Sequence, residues 1–384
     1  MWQVETHDIH QNNEALHVTL VTCSPFPTMA AHHPKVAICN VTVFDGQQMR
    51  KGTTVAFENG LIVSDATDAE TIIDAEDAFL VPGMIDCHAH VHGAEDLALM
   101  ARHGVTTCLD MGTKDLKVLQ DLRGGVGNCD VRSAGIPAMP AGSRHTSKPG
   151  FPRRLIVAEP ADAKGFVADR ISEGADYIKV MLEAEGPSQA SVDAVVAEAH
   201  AQGRIVIAHA TTSGTVEKAV TAGVDVITHV PQDKPLMEET VAKMKVARTV
   251  AVPTLVKMMA TAAKDTTIDY AHSKASAVTM KHAGVLLLAG TDANKHASGI
   301  GEISYGDSMC RELELLVEAG LSPLEAIRSA TDLAASYFGL QDRGAIEPRR
   351  RADLVLLSKN PLEDVSNMRS IQRVWCSGVA VELS

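Results

Sequence analysis

Hydrophobic and polar positions change rhythm twice along this chain. From Val36 the apolar residues come in short β-rich pieces, Val36–Val43, Thr53–Phe57 and Leu61–Val63, with Asp45-Gly46 and Glu58-Asn59-Gly60 as turns. That pattern predicts a small antiparallel sheet. The same texture returns in Ala352–Leu357, Ile371–Trp375 and Gly378–Val381. Between these stretches, from Phe79 to Phe338, an apolar strand, a polar or glycine loop and an amphipathic helix recur. Strands are predicted at Leu80–Cys87, Val105–Asp110, Val131–Ala138, Tyr177–Leu182, Ile205–His209, Val224–His229, Val250–Leu255 and Val285–Ala289. Helices are predicted at Ser191–Gln202, Gly214–Ala222, Met237–Lys245, Ile268–His282 and Glu302–Ala319. Eight such units over about 260 residues fit the usual length of a (β/α)8 barrel. A doubly wound sheet would also alternate this way, but it gives no reason for metal-binding side chains on strand after strand. The predicted fold class is α/β: a (β/α)8 TIM-type barrel over 81–339, with a small β-sandwich domain from 36–80 and 340–384. Residues 1–35 form an N-terminal extension whose histidines (7, 10, 17, 32, 33) show no periodicity; it reads as a partly ordered leader or an extra strand.

Composition narrows the function classes. Of the 384 residues 45% are hydrophobic and 22% charged, which excludes a disordered or low-complexity chain. Lys and Arg number 35 against 48 Asp and Glu, a net charge of −13, so neither nucleic acid nor an anionic membrane is an expected partner. No apolar run approaches the ~20 residues of a spanning helix. The start, Met1 to Asp8, lacks the basic segment and apolar stretch of a signal peptide. The seven cysteines are scattered without a C-x-x-C pair, as expected of reduced thiols in a cytoplasmic protein.

The candidate chemistry lies at strand ends. His88 and His90 close an apolar strand in the phrase Asp-Cys-His-Ala-His, and on an extended chain side chains two apart point the same way. Lys179, His209, His229 and Asp292 each follow an apolar stretch of their own. Singly these residues have bland readings: a hydrogen-bonded core histidine for His209 or His229, a helix N-cap for Asp292, a snorkelling lysine for Lys179. Jointly the bland readings require several unpaired polar groups in buried strands, at several kcal/mol for each buried charge. In a barrel these ends converge on one mouth, and a shared metal centre there accounts for all of them.

The order His-x-His, Lys, His, His, Asp between two halves of a small β domain resembles the metal-dependent amidohydrolase superfamily. Val81 to His90, Ala289 to Asn294, Glu312 to Pro323 and the closing Gly344 to Leu357 resemble its imidazolonepropionase-like and prolidase-like branch. The resemblance implies two divalent ions, one held by His88, His90 and Asp292, the other by His209 and His229. It also implies a carbamylated Lys179 bridging the two, since an ammonium would repel both cations. Zinc is the first expectation from such donors; manganese, cobalt and iron are compatible. The implied reaction is hydrolysis of a small-molecule amide C–N bond, in an N-acyl amino acid, dipeptide or cyclic amide. A metal-bridging hydroxide would attack, with Asp292 as general acid/base.

His145 matches a histidine position lining the site in this branch, as a catalytic or substrate contact; Arg144, Tyr305 and His296 are further candidate substrate contacts. Where prolidase-like relatives place a tyrosine beyond the sixth-strand histidine, this chain has Val230-Pro231-Gln232-Asp233. Rival readings are a one-metal deaminase or imidazolone-type ring hydrolase with Lys179 as free amine, a lactonase or esterase on the same site, and a catalytically silent scaffold. A homo-oligomer is expected by resemblance.

Overall fold

The computed structural model describes residues 5–6, 19–20, 33–113, 116–143, 146–147, 151–183, 186–295 and 301–383. The chain divides into two units, Met1–His33 and Pro34–Ser384. In the first, β1 (Glu5–Thr6) pairs antiparallel with β2 (Thr19–Leu20). All else concerns the second.

One sheet of eight strands draws on both predicted β-rich regions. Its strands are β3 (Val36–Phe44), β4 (Met49–Glu58), β5 (Leu61–Val63), β6 (Thr71–Asp74) and β7 (Phe79–Pro82). The order along the sheet places β7 beside β15 (Leu354–Leu357), followed by β16 (Ile371–Cys376) and β17 (Val379–Ala380). The expected antiparallel sheet is in fact mixed, because β3 runs parallel to both β6 and β7. Ile38, Val41, Phe57, Leu80, Leu354 and Trp375 pack its core.

The remaining strands are parallel. β8 (Met84–Ala89), β9 (Val105–Asp110) and β10 (Asp130–Ser133) form one set. β11 (Ile178–Met181), β12 (Val206–His209), β13 (Val226–Thr228) and β14 (Val250–Val252) form another. Residue 287 bridges to β14 through Ala251, and the Ala289 carbonyl accepts from Cys87 of β8 at 3.0 Å. Between the sets, Asp176 donates to the Ser133 carbonyl at 2.8 Å and Ala138 bridges to Val180. Alternate residues enter different cores: Val206 and Ala208 pack with the helices, whereas Ile207 joins Ile85, Leu109, Val250, Val252 and Leu288. This is the period of two expected of strands covered on both faces.

Several boundaries differ from the expected ones. The single strand predicted at Leu80–Cys87 is two, β7 and β8, divided at Gly83. Gly83 carries the chain from one sheet to the next, and a Cβ there would sit 2.1 Å from Thr106 Oγ1. The strand predicted at Val131–Ala138 stops at Ser133, and the stretch Val285–Ala289 contributes bridges rather than a full ladder. Val250–Leu255 shortens because a helix, Leu255–Ala262, starts where the strand was expected to end. That helix was not anticipated.

Candidate functional site

The polar residues at the carboxyl ends of the parallel strands come together. His88 is the penultimate residue of β8, His209 ends β12, and His229 directly follows β13. Lys179 lies within β11, two residues from Tyr177, and so shares the face directed toward the inner core. Two of the residues depend on unusual backbone. His229 has φ 71° and Asp292 φ 58°, the left-handed region that non-glycine residues rarely adopt, and Thr254 at φ 48° joins them. Such conformations cost of order 1–3 kcal/mol each and cluster where a side chain must be re-aimed.

Asp292 is the hub. Its Oδ1 lies 3.2 Å from His88 Nε2 and 3.0 Å from His90 Nε2, while its Oδ2 lies 3.3 Å from Lys257 Nζ. One ligand atom from each of His88, His90 and Asp292 falls within 4.8 Å of the others. The His88 and His229 rings are 4.8 Å apart between centroids, and the His209 and His229 rings 4.4 Å. Surrounding polar groups orient these side chains. His229 Nδ1 meets Thr254 Oγ1 at 2.8 Å, and His90 Nδ1 meets the Gly112 carbonyl at 3.2 Å. Lys179 Nζ donates to Thr228 Oγ1 at 2.8 Å, whose hydroxyl in turn donates to the Ala208 carbonyl. Buried Asp86 accepts from the His88 and Thr291 amides and from Thr291 Oγ1. Gly290 makes that approach feasible, since a Cβ there would stand 2.8 Å from the His88 amide nitrogen.

Burial sets the protonation states. It holds His88 and His229 well below the ordinary imidazole value and pushes His209 down to about 3, with neighbouring cations and imidazoles adding to the effect. These rings are therefore neutral, with lone pairs available. Burial also lowers the Lys179 ammonium to about 7, against the pull of Asp292 and Asp110. His90 differs: burial opposes its charging, but Asp292, Asp110 and the Gly112 carbonyl together raise it. For Asp292 burial works against the charge, and hydrogen bonds from His88 and His90 outweigh it.

The donor set suits a divalent cation. His88 Nδ1 is buried without a hydrogen-bond partner among the described residues, while His88 Nε2, His90 Nε2 and an Asp292 oxygen converge on one region. Neutral imidazoles beside a carboxylate are the ligands zinc-type ions take. Of the other candidates, Tyr305 is buried and its hydroxyl donates to the His90 carbonyl at 2.6 Å. Arg144, His145 and His296 lie outside the described residues.

Sequence reasoning missed Lys257, Thr254, Asp86 and Glu312. Glu312, fully buried, accepts from the Leu255 and Val256 amides at 2.9 and 2.7 Å and so fixes the start of the helix bearing Lys257. Lys257 had the signal used for Lys179, a single charge in the apolar run Leu255-Val256-Lys257-Met258-Met259 just beyond a strand.

Comparison with known proteins agrees with this geometry. A family profile described as the amidohydrolase family matches residues 79–381. Ochratoxinase of Aspergillus niger is 26% identical over 370 residues, covering 78% of this chain and 75% of that enzyme. A Xaa-Pro dipeptidase crystallised with methionine in its active site superposes with a TM-score of 0.78 at 24% identity, over 91% of this chain and all of that one (100%). Molinate hydrolase gives a TM-score of 0.73 at 20% identity, over 92% of this chain and 95% of that one.

Proposed function

The chain belongs to the amidohydrolase family, and we propose that it hydrolyses an amide C–N bond in a small molecule such as an N-acyl amino acid, dipeptide or cyclic amide. The observation that carries this reading is the convergence of His88 Nε2, His90 Nε2 and Asp292 Oδ1. In the proposed architecture residues 81–339 close as a (β/α)8 barrel, 36–80 with 340–384 make a β-sandwich, and 1–35 form an extension. The paired strands and the bridges at both ends of the parallel sets support the closure.

In this reading His88, His90 and Asp292 hold one divalent ion, zinc by donor type, and His209 with His229 hold a second. Bound ions of this kind supply an activated water and polarise a carbonyl. Lys179 is poised for carbamylation: held near neutrality by burial, its free amine adds carbon dioxide at Nζ with release of a proton. A carbamate at Lys179 would replace the positive charge with oxygen donors of the kind divalent cations take. Asp292 takes the proton of the attacking water and passes it to the departing nitrogen. Thr254 keeps His229 in the tautomer that leaves Nε2 free for a cation. His145, on the loop after the third strand, is proposed to contact the substrate, with Arg144, His296 and Tyr305 as further contacts.

The test is elemental analysis with an activity panel of N-acyl amino acids, dipeptides, hydantoin-like rings and lactones. About two metal equivalents per chain and loss of turnover on chelation are expected. Full activity in the metal-free protein would overturn the reading. A one-metal alternative has its own support: the compact donor group among the described residues comprises His88, His90 and Asp292, and Lys179 donates to Thr228. Metal stoichiometry of one, with no electron density beyond Lys179 Nζ, would favour it.

A further inference from the structure

We propose that Lys257 is the anion-recognising group of this site, selecting amides that carry a carboxylate on the carbon attached to the departing nitrogen. The inference rests on the hydrolytic reading above and narrows it to one substrate class.

Lys257 is the third residue of the helix Leu255–Ala262, and only 9% of its side chain is exposed. Its neighbours Leu255, Val256 and Met258 are buried and apolar. Burying an ammonium among them is costly unless anions or dipoles compensate. Two do so: Asp292 Oδ2 at 3.3 Å and the Gly301 carbonyl at 2.8 Å. An ammonium has three protons to donate, so these acceptors do not exhaust it.

Asp292 fixes where that charge stands. One carboxylate oxygen faces the imidazole nitrogens of His88 and His90, and the other faces Lys257. The ammonium is therefore one carboxylate group away from the cluster proposed to engage the scissile carbonyl. In an N-acyl amino acid the carbonyl carbon and the carboxylate are separated by the amide nitrogen and one further carbon. A molecule of this shape can reach both places at once. A neutral amide lacking the carboxylate uses only the first.

The balance of charge points the same way. Asp292 is the carboxylate in direct contact with Lys257 among the described residues. A cation held by His88 and His90 would draw on that same carboxylate. A second anion beside Lys257 restores the balance, and the substrate brings it. A lysine that merely tied the Gly301 carbonyl to its helix would be indifferent to substrate charge, which separates the two roles.

The experiment uses two matched sets on the metal-loaded protein. N-benzoyl derivatives of glycine, leucine and phenylalanine are compared for kcat/KM with the same amides lacking the carboxylate. Their ketomethylene isosteres, which cannot be hydrolysed, are compared for binding by calorimetry, again with and without the carboxylate. The anionic isosteres should bind about 10- to 100-fold more tightly, the size expected of a hydrogen bond between charged groups. Lys257→Met should erase that preference, read as the ratio of anionic to neutral isostere binding at matched metal content, and Lys257→Arg should retain most of it. Equal binding of anionic and neutral isosteres by the parent protein overturns the proposal, as does a preference that survives Lys257→Met. Discrimination by the isosteres without turnover of any amide would uphold the anion site and sink the hydrolytic reading instead. Turnover of both amide sets at equal kcat/KM would do the reverse.

Discussion

The two ends of the parallel strands handle buried charge in opposite ways. At the amino ends, each carboxylate is met by a basic side chain and by at least one backbone amide. Asp130, first in β10, faces Arg343 at 2.7 Å and Arg132 at 3.1 Å and accepts from the Gly124 and Val131 amides. Asp176 pairs with Arg123 and accepts from the Ser133 amide; Asp225 pairs with His200 and accepts from the Val206 amide. At the carboxyl ends, Asp292 is shared among two imidazoles and Lys257, His88 Nδ1 has no partner among the described residues, and two functional residues sit in left-handed backbone. The amino end pairs its buried carboxylates, though Arg123 Nε there has no partner among the described residues. The other end is strained and under-partnered, as ligand-binding regions are.

That contrast can be broken deliberately. The largest expected effect is at the carboxyl end: Asp292→Asn should lower kcat by about 10²- to 10⁴-fold, the range of a lost general acid–base group. Elemental analysis should show metal loss, while the denaturation midpoint moves little. Arg343→Met should do the reverse. It removes the more buried of the two arginine partners of Asp130 and leaves Arg132 and two amides in place, at a cost of about 1–3 kcal/mol in urea unfolding, and the molecules that remain folded should keep their kcat. If Arg343→Met lowered kcat as much as Asp292→Asn does, the division of labour between the two ends would be wrong.

Smaller changes sharpen the comparison. Thr254→Val removes the partner of His229 Nδ1, and metal affinity or activity should fall about 10- to 100-fold with the fold intact. The smallest effect is a pH slope in the metal-free protein. His209 has its folded value pushed down to about 3 from 6.5, so between those values the unfolded chain binds the proton and the native one does not. Its contribution to stability is thus present above pH 6.5 and is lost as pH falls toward 3. His209→Gln should flatten the unfolding free energy against pH across that window. An unchanged slope would mean that His209 is not buried neutral.

How much of this was legible in the sequence depended on distance and backbone geometry. His88, His90, Lys179, His209, His229 and Asp292 stood out because each interrupts or ends an apolar run, a local signal. Alternation likewise located most parallel strands. Glu312 was invisible because its role is to accept amides from a helix start 57 and 56 residues away. Thr254 reads as an ordinary strand residue until its positive φ turns the chain into the helix at Leu255. Gly83 hid a change of sheet inside one apolar run, since nothing local distinguishes a bend from a continuing strand. Lys257 was legible by the same rule as Lys179, but it lies on an unanticipated helix and was passed over.

The eight-stranded sheet has a consequence for synthesis on the ribosome. β7 pairs with β15, which is translated only after every parallel strand has emerged. Until then the nascent chain carries an open apolar edge at β7, a surface on which chaperones or other nascent chains can settle. β15 is in effect the clasp that ends this exposure. Slowing translation just ahead of Leu354 would therefore lengthen that exposure.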